Sequence, residues 1–257
     1  MVVECGNKKP YGVAVLDEDK IVVCDYNAAK LDVICTVTGK IEKSFNVGEY
    51  PYGVAVDPNT KNIWLAKSTK KQVTCLTQDG AFVNSFNTAN QPLGIAILPN
   101  GNIAVSCNVD NENICGAVYT PYGGVVFKLK AVHCAGQDCR DVKYYNKELY
   151  VTICMNIISG KVLVFSASDG SFVRFFCENI GWCNGLAIAT DGHIILSEAD
   201  PLHRISVWSP TGTRMRDWGN NKIFDYPFHL TILPNGQIVV TNTGGLKKSG
   251  GRINIIS

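Results

Sequence analysis

The hexapeptide PYGVAV stands at residues 10–15 and again at 51–56, and a close variant, PLGIAI, follows at 92–97. Gly12, Gly53 and Gly94 are thus spaced by 41 residues twice. Three diverged copies complete the series: Cys139-Arg140-Asp141-Val142, Cys183-Asn184-Gly185-Leu186-Ala187-Ile188 and Pro227-Phe228-His229-Leu230. Their third residues lie 47, 44 and 44 positions further on. A period of this size marks a chain built from one supersecondary unit, repeated until neighbouring units bury each other's apolar faces. No linker separates the six copies, so the 257 residues are expected to form one domain.

Each copy reads as four short strands. In the second, apolar stretches at 53–56, 62–66, 72–76 and 81–86 are separated by Asp57-Pro58-Asn59, a polar segment at 67–71 and Gln78-Asp79-Gly80. Comparable turns occur at Pro99-Asn100-Gly101, Asp169-Gly170, Asp191-Gly192 and Pro234-Asn235-Gly236. Gly and Asn tolerate the positive φ that tight hairpins require. Helical periodicity is absent. Four antiparallel strands per unit of 40–47 residues predict an all-β, six-bladed β-propeller. The blades are expected at about 8–45, 49–86, 90–129, 136–176, 179–218, and 224–257 joined by 1–6. The last assignment follows because the sixth copy supplies only three strands (230–232, 237–241 and 252–256), while Met1-Val2-Val3-Glu4-Cys5-Gly6 resembles the outer strands of other copies. The N-terminal strand is expected to complete that blade and remove an open sheet edge.

Hydrophobic residues make up 46% of the chain and charged residues 18%, with a net charge of +2, so any basic footprint must be local. The eleven cysteines include no CxxC pair. His133-Cys134 and Cys139 come nearest to metal-ligand spacing, without a second cluster to complete a site. Cys24, Cys35, Cys75 and Cys154 sit in apolar strand patterns, which favours reduced core thiols over a disulfide framework. The lack of an N-x-S/T sequon and of a secretory leader point to a cytoplasmic home, and no apolar run is long enough to enter a membrane.

The Pro-x-Gly-Val/Ile-Ala-Val strand, followed by a b strand of the I-x-V-A/S-D/N kind and an outer strand of the D-G-x-F-x-x-x-F kind, resembles the NHL repeat. The chain is most similar to the C-terminal NHL propellers of TRIM-NHL proteins of the Brat type. That resemblance implies binding of single-stranded or hairpin RNA on one propeller face, in post-transcriptional regulation. It also implies, for a parent protein, a ubiquitin ligase with a RING upstream. Departures from the pattern are Asp141 and His229 in place of the repeat glycine, and Ala66, Cys107 and Cys154 where the first b strand ends in Asp25.

In a propeller the d–a and b–c connections share one face, around the mouth of the central channel, and longer irregular loops there carry function. The residues before the repeat glycine circle that mouth: Tyr11, Tyr52, Leu93, Arg140, Asn184 and Phe228, with His229 beside them. Three aromatics, an Arg and an Asn are suited to stacking on and hydrogen-bonding to unpaired bases. The same aromatics are equally suited to capping the core between blades. Lys8, Lys9, Lys30, Lys67, Lys70, Lys71, Arg204, Lys222, Lys247, Lys248 and Arg252 are candidate phosphate contacts, interspersed with acids such as Glu49, Asp138 and Asp200. Residues 244–251 resemble a phosphate loop only in glycine content, lacking GxxxxGK[ST].

Three functions are open at this level. RNA binding by the long-loop face leads. Protein or peptide binding, as a substrate selector for a ubiquitin ligase, is the alternative. An enzyme at the channel mouth is third, since only His229 among four histidines is placed to reach it and no nucleophile motif occurs. No cofactor is expected, and the domain is expected to be monomeric.

Overall fold

The structure, a computed structural model, describes residues 1–4, 9–131, 137–154, 159–244 and 250–257, with the side chains of residues 178–179 left aside. Six four-stranded antiparallel sheets make up the chain. The first blade comprises Pro10–Val15, Lys20–Asp25, Lys30–Cys35 and Ile41–Asn46, strands a to d from the axis outward. The second repeats this with Pro51–Val56, Ile63–Lys67, Gln72–Leu76 and Phe82–Asn87. The inner strands of the others are Pro92–Ile97, Asp138–Tyr145, Cys183–Ile188 and Pro227–Ile232. Each inner strand touches the next, and the sixth touches the first, so the ring closes as a six-bladed propeller.

The closure is the one the sequence implied. Val2–Glu4 pairs antiparallel with Arg252–Ile256, matching Val2 to Asn254, Val3 to Ile253 and Glu4 to Arg252. Met1 adds its amino group to the Ile255 carbonyl at 2.7 Å, and its own carbonyl accepts from Ile255 N–H at 2.8 Å. Val3 is buried with Ile21, Ile34, Val239 and Ile253 between the sixth and first blades. Cys5 and Gly6, the rest of the expected strand, lie outside the described residues.

The core is a set of inter-blade clusters rather than one central mass. Alternate residues of strands b and c point to opposite faces of each sheet, so one face of every blade packs on its predecessor and the other on its successor. Leu31, Val33, Leu65 and Leu76 fill the seam between blades 1 and 2, and Tyr150, Val164, Leu196 and Trp208 that between blades 4 and 5. Among the described residues nine cysteines are free and buried, and Cys24, Cys75, Cys115, Cys139, Cys177 and Cys183 lie within these layers as small apolar side chains. No helix is long and apolar enough to cross a membrane.

Candidate functional site

The repeat motif places its residues through a local irregularity. In every blade the pairing of strand a with strand b slips near its start: between Pro10 and Val13, Pro51 and Val54, Pro92 and Ile95, Cys139 and Val142, Cys183 and Gly185, Pro227 and Leu230. A bulge of this kind frees a backbone N–H and re-aims a side chain. In four blades a hydroxyl on strand b answers the freed group: Ser106 accepts from Gly94 N–H at 2.9 Å, Thr152 from Asp141 at 2.9 Å, Ser197 from Gly185 at 2.9 Å and Thr241 from His229 at 3.0 Å. Thr241 then donates across the seam to the Tyr11 carbonyl at 2.7 Å, and Ser197 does so to that of Phe228. The repeat glycine is required by proximity. A Cβ on Gly12 would stand 2.6 Å from the Tyr52 carbonyl oxygen, and one on Gly185 would stand 2.7 Å from that of Phe228.

The six residues re-aimed by these bulges converge, but they close the mouth instead of lining an opening. Tyr52, Leu93 and Phe228 form one buried cluster against which Tyr11, Tyr26 and Tyr226 pack. Asn184 is buried too, accepting from Trp182 Nε1 at 3.0 Å and donating to the Pro227 carbonyl at 3.3 Å. Only Tyr11 and Arg140 of the six keep appreciable surface. Arg140 donates to the Tyr52 hydroxyl at 2.6 Å, pairs with Asp138 at 2.5 Å and lies 5.5 Å from the Trp182 ring. The physical reason is the narrowness of a six-membered ring, across which large side chains reach each other and shed water by meeting.

Beneath this plug the two residues that replace glycine face one another. Asp141 accepts from Lys143 Nζ at 2.9 and 3.0 Å and from Leu186 N–H at 3.1 Å. His229 Nδ1 lies 4.0 Å from the Asp141 carboxylate, while its Nε2 is buried with no hydrogen-bond partner among the described residues. Burial pushes the His229 imidazole down to about 4 despite the pull of Asp141, with Lys143 and Arg140 adding to the downward shift. The ring is therefore neutral at neutral pH.

Four residues outside the sequence-based candidates extend the plug to the surface. Tyr26 stacks on Tyr11 with centroids 4.4 Å apart and planes at 18°. Tyr50 follows at 4.9 Å from Tyr26, and is 44% exposed. On the other side Phe228 lies 4.2 Å from Tyr11 and stacks on His229 at 16°. The result is a ladder of five rings from the channel to the rim: His229, Phe228, Tyr11, Tyr26 and Tyr50. Tyr226 and Trp182 flank it, half-buried. A sequence signal existed, for Tyr50-Pro51-Tyr52 and Tyr226-Pro227-Phe228 both place an aromatic on either side of the repeat proline.

The basic candidates divide. Arg204 is committed to structure, bound to buried Glu198 at 3.0 Å and to Asp217 at 2.8 Å. Lys70 pairs with Glu49 at 2.9 Å. Lys9, Lys30, Lys67 and Lys71 have no carboxylate partner among the described residues. Burial lowers the pKa of Lys67, and the charge of Lys70 lowers it further. Lys8, Lys247 and Lys248 lie outside the described residues, as do His133 and Cys134. Lys222 and Arg252 carry no ion pair among the described residues. Among the described residues no three His, Cys, Asp or Glu side chains converge to hold a metal ion. Cys139 and Cys183 are buried in the apolar layers on either side of the fourth blade.

No protein-family model and no curated protein sequence matches the chain. Solved structures do. A streptogramin B lyase is similar over 99% of this chain and 97% of its own, with 14% identity and a TM-score of 0.69. The hydrazine synthase of Kuenenia stuttgartiensis is similar over 96% and 83%, with 16% identity and a TM-score of 0.72. The WD40 β-propeller domain of Doa1 is similar over 100% and 95%, with 10% identity and a TM-score of 0.68. At such identities the likeness is one of fold.

Proposed function

We propose that this propeller is a protein-binding module that takes a peptide segment across its long-loop face, on the outer rungs of the aromatic ladder. The observation that carries this reading is the outer edge of the ladder, where Tyr50 is exposed and Tyr26 and Tyr11 are half-buried, with Arg140 joined to it through Tyr52. Tyr, Trp and Arg dominate the energetics of protein interfaces because they offer large rigid area with polar tips. The inner rungs are fixed by packing, so the outer ones are held in place before a partner arrives and lose little freedom on binding. Acids at the rim, Glu49, Asp138 and Asp200, and the neutralised Arg204 and Lys70 suit a mixed-charge partner better than a polyanion.

RNA binding, the role implied by the resemblance to TRIM-NHL propellers, is the second reading. It is supported by the near-parallel Tyr11–Tyr26 stack and by the unpaired Lys9, Lys30, Lys67 and Lys71. Bases stack on such a platform, and cations track the backbone. Under either reading the domain is a binding module without a catalytic role of its own. His229 is sealed under the plug, and Asp141 is taken up by Lys143 and a backbone N–H. A reducing compartment such as the cytoplasm fits nine buried free thiols.

Parallel selections from a random peptide library and a random short-RNA pool, the latter at two salt concentrations, test the proposal. Peptide enrichment that Tyr50→Ala and Arg140→Ala each reduce at least tenfold is the expected result. A salt-sensitive RNA motif with no peptide enrichment would instead establish the second reading.

A further inference from the structure

A cavity of about 760 Å³ lies on the opposite face, at the seam between blades 5 and 6. Its place is explained by what covers the other seams. In five of the six, the turn between strands c and d of one blade lays its positive-φ glycine on the outer strand of the blade before. Gly80 sits on Phe45, Gly123 on Phe86, Gly170 on Phe127, Gly212 on the Phe176 carbonyl, and Gly39 on Val3 and Met1. Polar groups accompany two of these contacts. Lys43 Nζ binds Asp79 of the second blade's turn at 2.6 Å, and Asn84 Nδ2 donates to the Pro121 carbonyl of the third's at 3.0 Å.

The sixth blade has no such turn. Its c strand, Arg252–Ile256, and its d strand, Val2–Glu4, come from opposite ends of the described chain, so no hairpin joins them. Among the described residues the strand-exchange closure thus leaves the blade 5–6 seam without a c–d turn over it. What is left bare there corresponds by register to what Asp79 satisfies elsewhere. Lys43 pairs in its sheet with Val33, just after a one-residue slip at Ile34 and Ile41; Arg216 pairs with Val207 just after the same slip at Trp208 and Arg214. Arg216 is exposed and its side chain has no hydrogen-bond or ion-pair partner among the described residues. Beside it Met215 is 59% exposed, and the floor is apolar, made by Ile195, Val207 and Ile238. Asp191, the one carboxylate lining the groove, is engaged by His193 Nδ1 at 3.0 Å and by the His193 N–H at 3.1 Å.

We propose that this groove binds a β-turn of another polypeptide carrying an Asp-Gly pair. The carboxylate would meet Arg216 as Asp79 meets Lys43, and the glycine would lie against the outer strand of blade 5. The molecule itself shows the glycine contact five times and the carboxylate–cation pair once, and among the described residues the sixth position is the one without such a turn. Arginine in place of lysine suits an incoming carboxylate, since its guanidinium can hold both oxygens at once. The site is independent of the ladder on the long-loop face.

The test uses the full chain and a fluorescein-labelled, backbone-cyclised peptide containing the chain's own turn sequence, residues 76–82 (LTQDGAF). Saturable binding is expected. Arg216→Glu should weaken it at least tenfold without changing the melting temperature, as should replacing the peptide's Asp by Asn. A peptide with Lys in place of Asp should recover binding to Arg216→Glu. Tyr50→Ala should leave all of these values unchanged, which separates this site from the long-loop face. Absence of saturable binding up to millimolar peptide overturns the proposal, and so does binding that Arg216→Glu does not alter.

Discussion

Asp141 and His229 stand where four other blades have glycine, and each makes a different use of the extra atoms. The Asp141 carboxylate takes the place of a backbone contact by accepting Leu186 N–H from the next blade, with Lys143 balancing its charge. His229 has no such donor for Nε2, and its burial holds it neutral. An imidazole harder to protonate folded than unfolded makes the unfolded chain the better proton binder between about 4 and 6.5. Its contribution is therefore complete above that window and is lost as pH falls through it. Between pH 7 and pH 5 the loss should reach about 2 kcal/mol, read from urea melts at each pH. In His229→Asn that part of the slope should vanish. An unaltered slope in the variant would place the pH dependence elsewhere.

At the scale of the strand, the recurrent device is the bulge with its hydroxyl. Ser197 serves Gly185 N–H in its own blade and the Phe228 carbonyl in the next, so one side chain both completes a strand and fastens a seam. Ser197→Ala should cost about 1–3 kcal/mol, because it leaves buried backbone groups without partners. Chemical denaturation would detect this; a loss below about 0.5 kcal/mol would mean that the seam holds without the hydroxyl. Cys24 and Ala66 occupy the corresponding place in the first two blades, so the first two inner strands rely on glycine packing instead. The strand a repeat was legible in the sequence because glycine at a fixed spacing records a close approach. The bulge was not, since a slip in pairing leaves no mark in residue order.

For the whole molecule, closure determines both stability and where surfaces remain open. Deleting residues 1–4 removes Val3 from its inter-blade layer and exposes the edge of Arg252–Ile256. Burial of one valine and loss of the edge pairing together amount to at least about 2 kcal/mol, lowering the melting temperature by roughly 4–8 °C. Calorimetry on the truncated chain measures it, and an unchanged transition would show that the ring does not depend on this strand. The same closure removes one turn from the short-turn face and bares Arg216. The sequence argument looked for open surface on the long-loop face alone. It weighed loop length, whereas the open seam arises from a connection that is missing.

Residue order alone specifies the all-β class, the six blades and the strand that finishes the last one. Those properties follow from periodicity, and periodicity survives projection onto one dimension. It also picked out the residues that meet at the channel mouth, because their spacing from the repeat glycine is constant. That Tyr52, Leu93, Asn184 and Phe228 are buried there, while Tyr26 and Tyr50 carry the surface outward, emerged only from the packing of the blades. Likewise, only the structure separated Arg204, bound to Glu198, from the lysines left unpaired. Exposure and pairing depend on which side chains from distant blades arrive at the same point, and repeat spacing does not record the distances between them.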